Sequence, residues 1–373
     1  MARTATETAT LRNEIFDIFD KVRTAIQKQQ NFGNYPVFQG RNYAPHKLLP
    51  SNFHTIREID EFDEGEKRKK IIFVDGGNSE IIKSSNFSLQ LVRIFYCIYK
   101  NNKNVESKRF EFYTYAYVSS NEKGRQDGAK DSINYMVELI PVNSESQKIL
   151  PGTDDLVINS MNPTIKEGIF RADISKVGEI MRKIAEINTM NFAVQHTERG
   201  IAVRDGTLQC SYSGEKHYFD ELYKSAIRSN TIVCALAKTN SIVTDSGNSM
   251  SGALNKLARE VSFKKWRYYP VAESRNEEHQ ANIYFVRLNE SSRYSFRFET
   301  YKNQNAPESL FSLIAGNSSD PTFLGYPQGL ITADRFAKIS LKESFYLKTL
   351  FQHKLGRNFV GEDVHSILNA LNY

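Results

Sequence analysis

Ile71-Ile72-Phe73-Val74-Asp75-Gly76-Gly77 is the stretch that decides the fold. Four β-branched or aromatic residues follow Lys69-Lys70 and stop at Asp-Gly-Gly, which reads as a buried strand and a turn. The same pattern returns at Ile201-Ala202-Val203-Arg204-Asp205-Gly206. In each copy the Asp shares parity with apolar residues two and four positions earlier: Asp75 with Phe73 and Ile71, Asp205 with Val203 and Ile201. Side chains alternate across a strand, so each carboxylate faces the same side as core residues, at the strand's carboxyl end. Ligands bind outside the carboxyl ends of such strands. A carboxylate there calls for a partner or a cation, because an unpaired buried charge is costly. Asp-Gly is also what closes an ordinary turn.

Outward from Asp75, residues 87–99 and 109–118 read as two further strands, which makes a three-stranded antiparallel start. Residues 119–131 (SSNEKGRQDGAKD) form a polar loop. Residues 173–195 carry Ile174, Val177, Ile180, Met181, Ile184 and Ile187 on one stripe, the pattern of an amphipathic helix. The strand at 201–204, a helix over 215–228 and a strand over 231–237 alternate, which implies parallel pairing. A helix ending at 260, strands near 266–270, 283–288 and 294–301, and then helices complete the chain. Upstream, Leu11, Ile15, Phe19 and Val22 mark an N-terminal helix. Pro36, Pro45 and Pro50 lie in an irregular connection. The expected division is 1–68 (helix and connection), 69–345 (one α/β domain) and 346–373. In the last part Val364, Ile367, Leu368 and Leu371 form an apolar stripe.

Of the 373 residues 40% are hydrophobic and 12% aromatic, enough for a core and against global disorder. A net charge of +6 permits a polyanionic partner without requiring one. Three cysteines with no CxxC pair argue against a disulfide framework or thiolate zinc site, and Cys97 and Cys234 read as core residues. The seven histidines form no HxxxH or HExxH pattern. The opening MARTATETATLRNEIF lacks the apolar region of a signal peptide, and no run approaches a membrane span; the expected location is the cytoplasm.

Two more acids stand out. Asp334 lies in GYPQGLITADRFA, where a helix over 328–339 puts it between Leu330, Ala337 and Leu341 on one face. Glu186 lies in the long helix, seven residues from Glu179 and roughly opposite the apolar stripe, where an i,i+4 pair with Arg182 on a solvated face is the reading that the residues alone favour. Four carboxylates together can hold two hard divalent cations, Mn2+ or Mg2+, through oxygen ligands. Two such ions about 4 Å apart activate water and stabilise the leaving oxygen of a phosphodiester.

Five segments, IIFVDGGNSE, MRKIAEINTMNFAVQHTERGIAVRDGTLQ, IVCALAKTNS, IYFVRL and GYPQGLITADRFAKIS, occur in the order found in the NurA nuclease family, so residues 70–345 resemble it. The resemblance implies a ribonuclease H-like mixed sheet flanked by helices, with N- and C-terminal helical additions. It implies a metal-dependent 5'-3' exonuclease and single-strand endonuclease acting on DNA in double-strand break end resection. It further implies a homodimer whose partner is a hexameric HerA-type ATPase. The family's acidic positions fall on Asp75, Glu186, Asp205 and Asp334 as catalytic and metal-ligating residues. Its first motif usually reads Asp-Gly-Ser; Gly77 stands in place of the Ser, leaving Ser79 as the nearest hydroxyl. Lys238, at a strand end, and Tyr326 are candidate DNA contacts. So is the run Lys264-Lys265-Trp266-Arg267, whose charges and ring suit backbone contact and base stacking. The competing readings are a solvated lysine at 238, a packing tyrosine at 326 and an amphipathic strand over 264–269. Competing functions are a phosphotransferase of the actin and sugar-kinase type, with VDGGNS as phosphate loop, and a non-catalytic scaffold that docks on a helicase.

Overall fold

The apolar run at Ile71 does not stop at Asp75-Gly76-Gly77. It continues as a single strand to Lys83. The computed structural model describes residues 15–24, 33–40, 42–118, 132–212 and 214–355. Leu11, the 119–131 loop and the Val364–Leu371 stripe lie outside the described residues. Residues 15–24 are helical (α1) and their apolar side chains are exposed. Three short strands follow, β1 (Pro36–Val37), β2 (Tyr43–Pro45) and β3 (Phe53–Thr55), then helix α2 (Glu64–Lys67) and the long strand β4 (Ile71–Lys83). The proline-rich segment before residue 69 therefore supplies strands, not merely a connection.

β4 pairs antiparallel with β5 (Phe87–Lys100), and β5 pairs antiparallel with β6 (Lys103–Val118); β7 (Asn134–Pro141) and β8 (Val157–Asn159) extend that side. Helix α3 (Lys176–Gln195) crosses back to β9 (Ile201–Asp205), and α4 (Glu215–Ser229) crosses to β10 (Ile232–Ala237). β9 pairs parallel with both β4 and β10. The order β10-β9-β4-β5-β6, three antiparallel strands with two parallel ones beyond the first, is the ribonuclease H-like arrangement.

Past β11 (Val243–Thr244) and α5 (Met250–Glu260), the strands β12 (Trp266–Tyr268), β13 (Ala272–Ser274), β14 (Ala281–Arg287) and β15 (Phe296–Tyr301) continue the same sheet beyond β10, and β2 and β3 close its edge. Helices α6 (Glu308–Gly316), α7 (Gln328–Ala337) and α8 (Leu341–Leu355) follow.

Strand parity separates two cores. Ile72, Val74, Ile94 and Ala202 face α3 and α4. Ile71, Phe73, Cys97, Val203 and Cys234 face α6 and α7. Each face brings a helix close to β4 at a glycine. A Cβ on Gly76 would stand 2.6 Å from Glu186 Oε1 of α3, and one on Gly77 would stand 2.5 Å from the Ala337 carbonyl of α7. Those two contacts explain why glycines persist inside a strand, where they weaken it otherwise. Gly77 in place of Ser is thus a packing requirement, and Ser79 instead donates to the Ser344 hydroxyl of α8 at 2.8 Å.

Gly329 does the same work from the helix side, because a Cβ there would fall inside the Phe73 ring. Gly329→Ala is expected to destabilise the fold by at least about 2 kcal/mol through overpacking. Gly316→Ala, where a Cβ meets nothing nearer than 3.6 Å, is expected to be neutral or mildly stabilising. Urea denaturation of the two variants checks the contrast.

Candidate active site

Asp75 and Asp205 stand side by side. The parallel register pairs Val74 with Arg204, so the next residues along, both on the α7 side, are neighbouring carboxylates on adjacent strands about 4.8 Å apart. Asp75 is inside a long strand, yet it lies at the carboxyl end of the parallel portion, because β9 ends at Asp205 and β10 at Ala237. Lys238 follows β10 on the same face, and its Nζ lies 2.7 Å from Asp205 Oδ2 and 3.8 Å from Asp334 Oδ1. Asp334 comes from α7 and is 57% exposed at the rim. The buried face of α7 belongs to Leu330, Ala333 and Ala337 instead, and Leu341 lies exposed in α8.

Glu186 approaches from the opposite face of the sheet, over Gly76. It is 5% exposed, not on a solvated helix face. Arg182 pairs with its Oε1, and Arg204 Nη2 donates to its Oε2 at 3.0 Å. Arg204 was not among the residues singled out, although the sequence held a signal. Its parity is opposite to Asp205, so the strand aims a guanidinium into the apolar face beneath α3, where a charge needs a partner. That partner is Glu186.

Asp75 alone among the four carboxylates has no ion-pair partner among the described residues; its Oδ1 accepts only from the Gly76 N–H at 2.7 Å. Burial first, then Glu186, Asp205 and Asp334, push its carboxyl up to about 8. Burial opposes the charge on Lys238, but Asp205, Asp334 and Asp75 together outweigh it and hold that ammonium above its ordinary range. Among the described residues no group of three or more His, Cys, Asp or Glu side chains is already arranged to hold a metal ion. Asp75, Asp205 and Asp334 lie on the α7 face and Glu186 on the α3 face, and the last three turn to resident cations instead of closing on a common point.

The expected DNA contacts fare differently. Tyr326 is fully buried, stacked on Phe323 at 5.1 Å and edge-on to Phe296 at 5.3 Å, so it cannot stack on a base. Its ring lies under Lys238, with Nζ 5.1 Å from the centroid. Burial, then Asp205, push its phenol pKa up. Trp266 is also fully buried, edge-on to Phe53 at 5.0 Å, and β12 is the fourth strand from β9. Lys265 pairs with Glu58, and the Arg267 guanidinium lies 4.9 Å over the Phe311 ring. Of that run only Lys264 is exposed. The stretch is a sheet strand packed on its own core, and Trp266 offers no stacking surface. VDGGNS is no phosphate loop either, since it is strand throughout and its glycines are covered by Glu186 and Ala337.

No family model matches the sequence, and no curated protein matches it. Solved structures do resemble the fold. The NurA nuclease from Sulfolobus solfataricus is 12% identical, with 96% of this chain and 98% of that one covered at a TM-score of 0.48. Endonuclease V from Ciona intestinalis, bound to DNA containing an inosine, is 13% identical, with 76% and 90% covered at a TM-score of 0.37. Endonuclease V from Bacillus subtilis is 10% identical, with 82% and 90% covered at a TM-score of 0.32. The first bears the name of the family that the five ordered segments resemble. At these values the likenesses decide nothing about this chain; its strand order and its side chains do. No described helix is long and apolar enough to cross a membrane.

The raised Asp75 pKa has a consequence for stability. The folded ion-free chain keeps a proton that the unfolded chain loses near 3.8, so stability falls as pH rises from about 4 to about 8. Asp75→Asn removes that dependence. The variant is expected to match the parent at pH 4 and to exceed it at pH 8 by on the order of 2 kcal/mol. Thermal melts in chelator would show the two curves diverging; parallel curves would remove the crowding argument.

Proposed function

We propose that the chain is a metal-dependent DNA nuclease, hydrolysing phosphodiester bonds at the carboxyl ends of β4, β9 and β10. The observation that carries this reading is Asp75: a partly buried acid without an ion-pair partner among the described residues, near three other carboxylates, at the open end of parallel strands. That donor set fits a hard divalent cation, Mn2+ or Mg2+, which prefers carboxylate oxygen. Asp75 and Asp205 would hold it on the α7 face, with Asp334 at the rim and Glu186 reached past Gly76. When bound, the ion would activate water and offset charge on the leaving oxygen. The side chains divide the remaining work. Arg182 and Arg204 fix the orientation of Glu186. Tyr326 fixes the height of Lys238, and Lys238 presents positive charge towards the rim, where a phosphate approaches.

The ordered resemblance of residues 70–345 extends the proposal. The substrate is broken DNA, cut by 5'-3' exonuclease and single-strand endonuclease action in end resection. The chain acts as a homodimer with a hexameric HerA-type ATPase. A scaffold that only docks on such an ATPase has no use for an uncompensated Asp75. The phosphotransferase reading loses its support with the phosphate loop.

Purified protein is expected to degrade end-labelled single- and double-stranded DNA with Mn2+ or Mg2+ and to be inert in EDTA. Asp205→Ala should lower the rate by at least about a thousandfold while the far-UV circular dichroism stays unchanged. Cutting that survives both EDTA and Asp205→Ala would refute the proposal.

A further inference from the structure

We infer that Lys238 occupies the place of a second cation, so that the site takes one divalent ion and not two. The inference rests on the metal-dependent reading above and deepens it.

The charge balance is the starting point. With all four ionised, as they would be around a bound cation, Asp75, Glu186, Asp205 and Asp334 bring four negative charges, and three resident cations answer them. Arg182 and Arg204 take both oxygens of Glu186, while Lys238 spans Asp205 and Asp334. The uncompensated charge is on Asp75. One divalent ion beside Asp75 leaves the cluster with an excess of one positive charge, suited to a phosphodiester. Two ions with the resident cations in place would leave an excess of three in a confined space, where like charges repel strongly.

Geometry fixes Lys238 where it is. Its backbone follows β10 directly, and the Gly206 N–H donates to the Leu236 carbonyl at 3.0 Å, tying that strand end to the turn after Asp205. Its ammonium rests on the face of a ring that is itself immobilised by Phe296 and Phe323. A cation over a desolvated aromatic face gains further binding. A second ion between Asp205 and Asp334 would have to displace Lys238 from both carboxylates and from Tyr326 together. Asp205 can instead offer its other oxygen to an ion beside Asp75 while Oδ2 stays on Lys238.

Manganese titrated into the chelator-treated full-length chain, with free Mn2+ counted by electron paramagnetic resonance, tests this. The parent protein is expected to bind one ion per chain. Lys238→Met is expected to gain a second, its dissociation constant at least tenfold below any second binding by the parent. Lys238→Arg, which keeps the charge, should stay at one. Two ions in the parent, both lost in Asp205→Asn, would overturn the inference and leave the nuclease reading standing. So would a folded Lys238→Met protein that still binds one. If Lys238→Met does not fold, the parent's count decides. No binding at all would remove the metal-dependent reading and this inference with it.

Discussion

Repulsion among carboxylates crowded at the end of three parallel strands is the constraint around which this molecule is arranged. β4, β9 and β10 end their common pairing at one level, so Asp75 and Asp205 cannot avoid each other. Water would screen such a pair, but here burial removes much of it, and the proton held by Asp75 is the result. Resident cations answer that repulsion. Lys238 bridges Asp205 and Asp334, and two arginines neutralise Glu186 on the far side of the sheet. Three of the four acids are paired with resident cations, and Asp75 is the one left without such a partner among the described residues.

Close packing lets groups on both faces of the sheet crowd that strand end. A β-sheet is a barrier about one residue thick, and an acid on α3 settles against β4 beside Asp75 only because Gly76 has no side chain in the way. On the other face Gly77 and Gly329 let α7 settle onto β4, which brings Asp334 to the rim and Tyr326 beneath Lys238. Each glycine would weaken an isolated strand or helix. Here the helix–sheet contact it permits is what positions the site.

Much of this was legible in the chain. Period-two parity put Asp75 and Asp205 on one face, and alternating strands and helices implied the parallel half of the sheet. What misled was reading each residue by its own chemistry. Trp266 and Tyr326 looked like stacking surfaces because aromatic rings bind bases, but a ring beside Phe53, or between Phe296 and Phe323, is worth more to the core than to solvent. Asp75-Gly76-Gly77 looked like a turn because Gly ends isolated strands, yet pairing with β5 across the whole segment carries β4 to Lys83.

The sequence by itself determined which side chains share a face, because alternation along a strand is a local property of the backbone. It fixed the two Asp-Gly strands, the long helix bearing Glu186, and the core cysteines. Only the tertiary structure decided which cations answer which acids. Ion pairing between Lys238 and Asp334, or Arg204 and Glu186, depends on distances between segments that are far apart in the chain, and local periodicity carries no information about them.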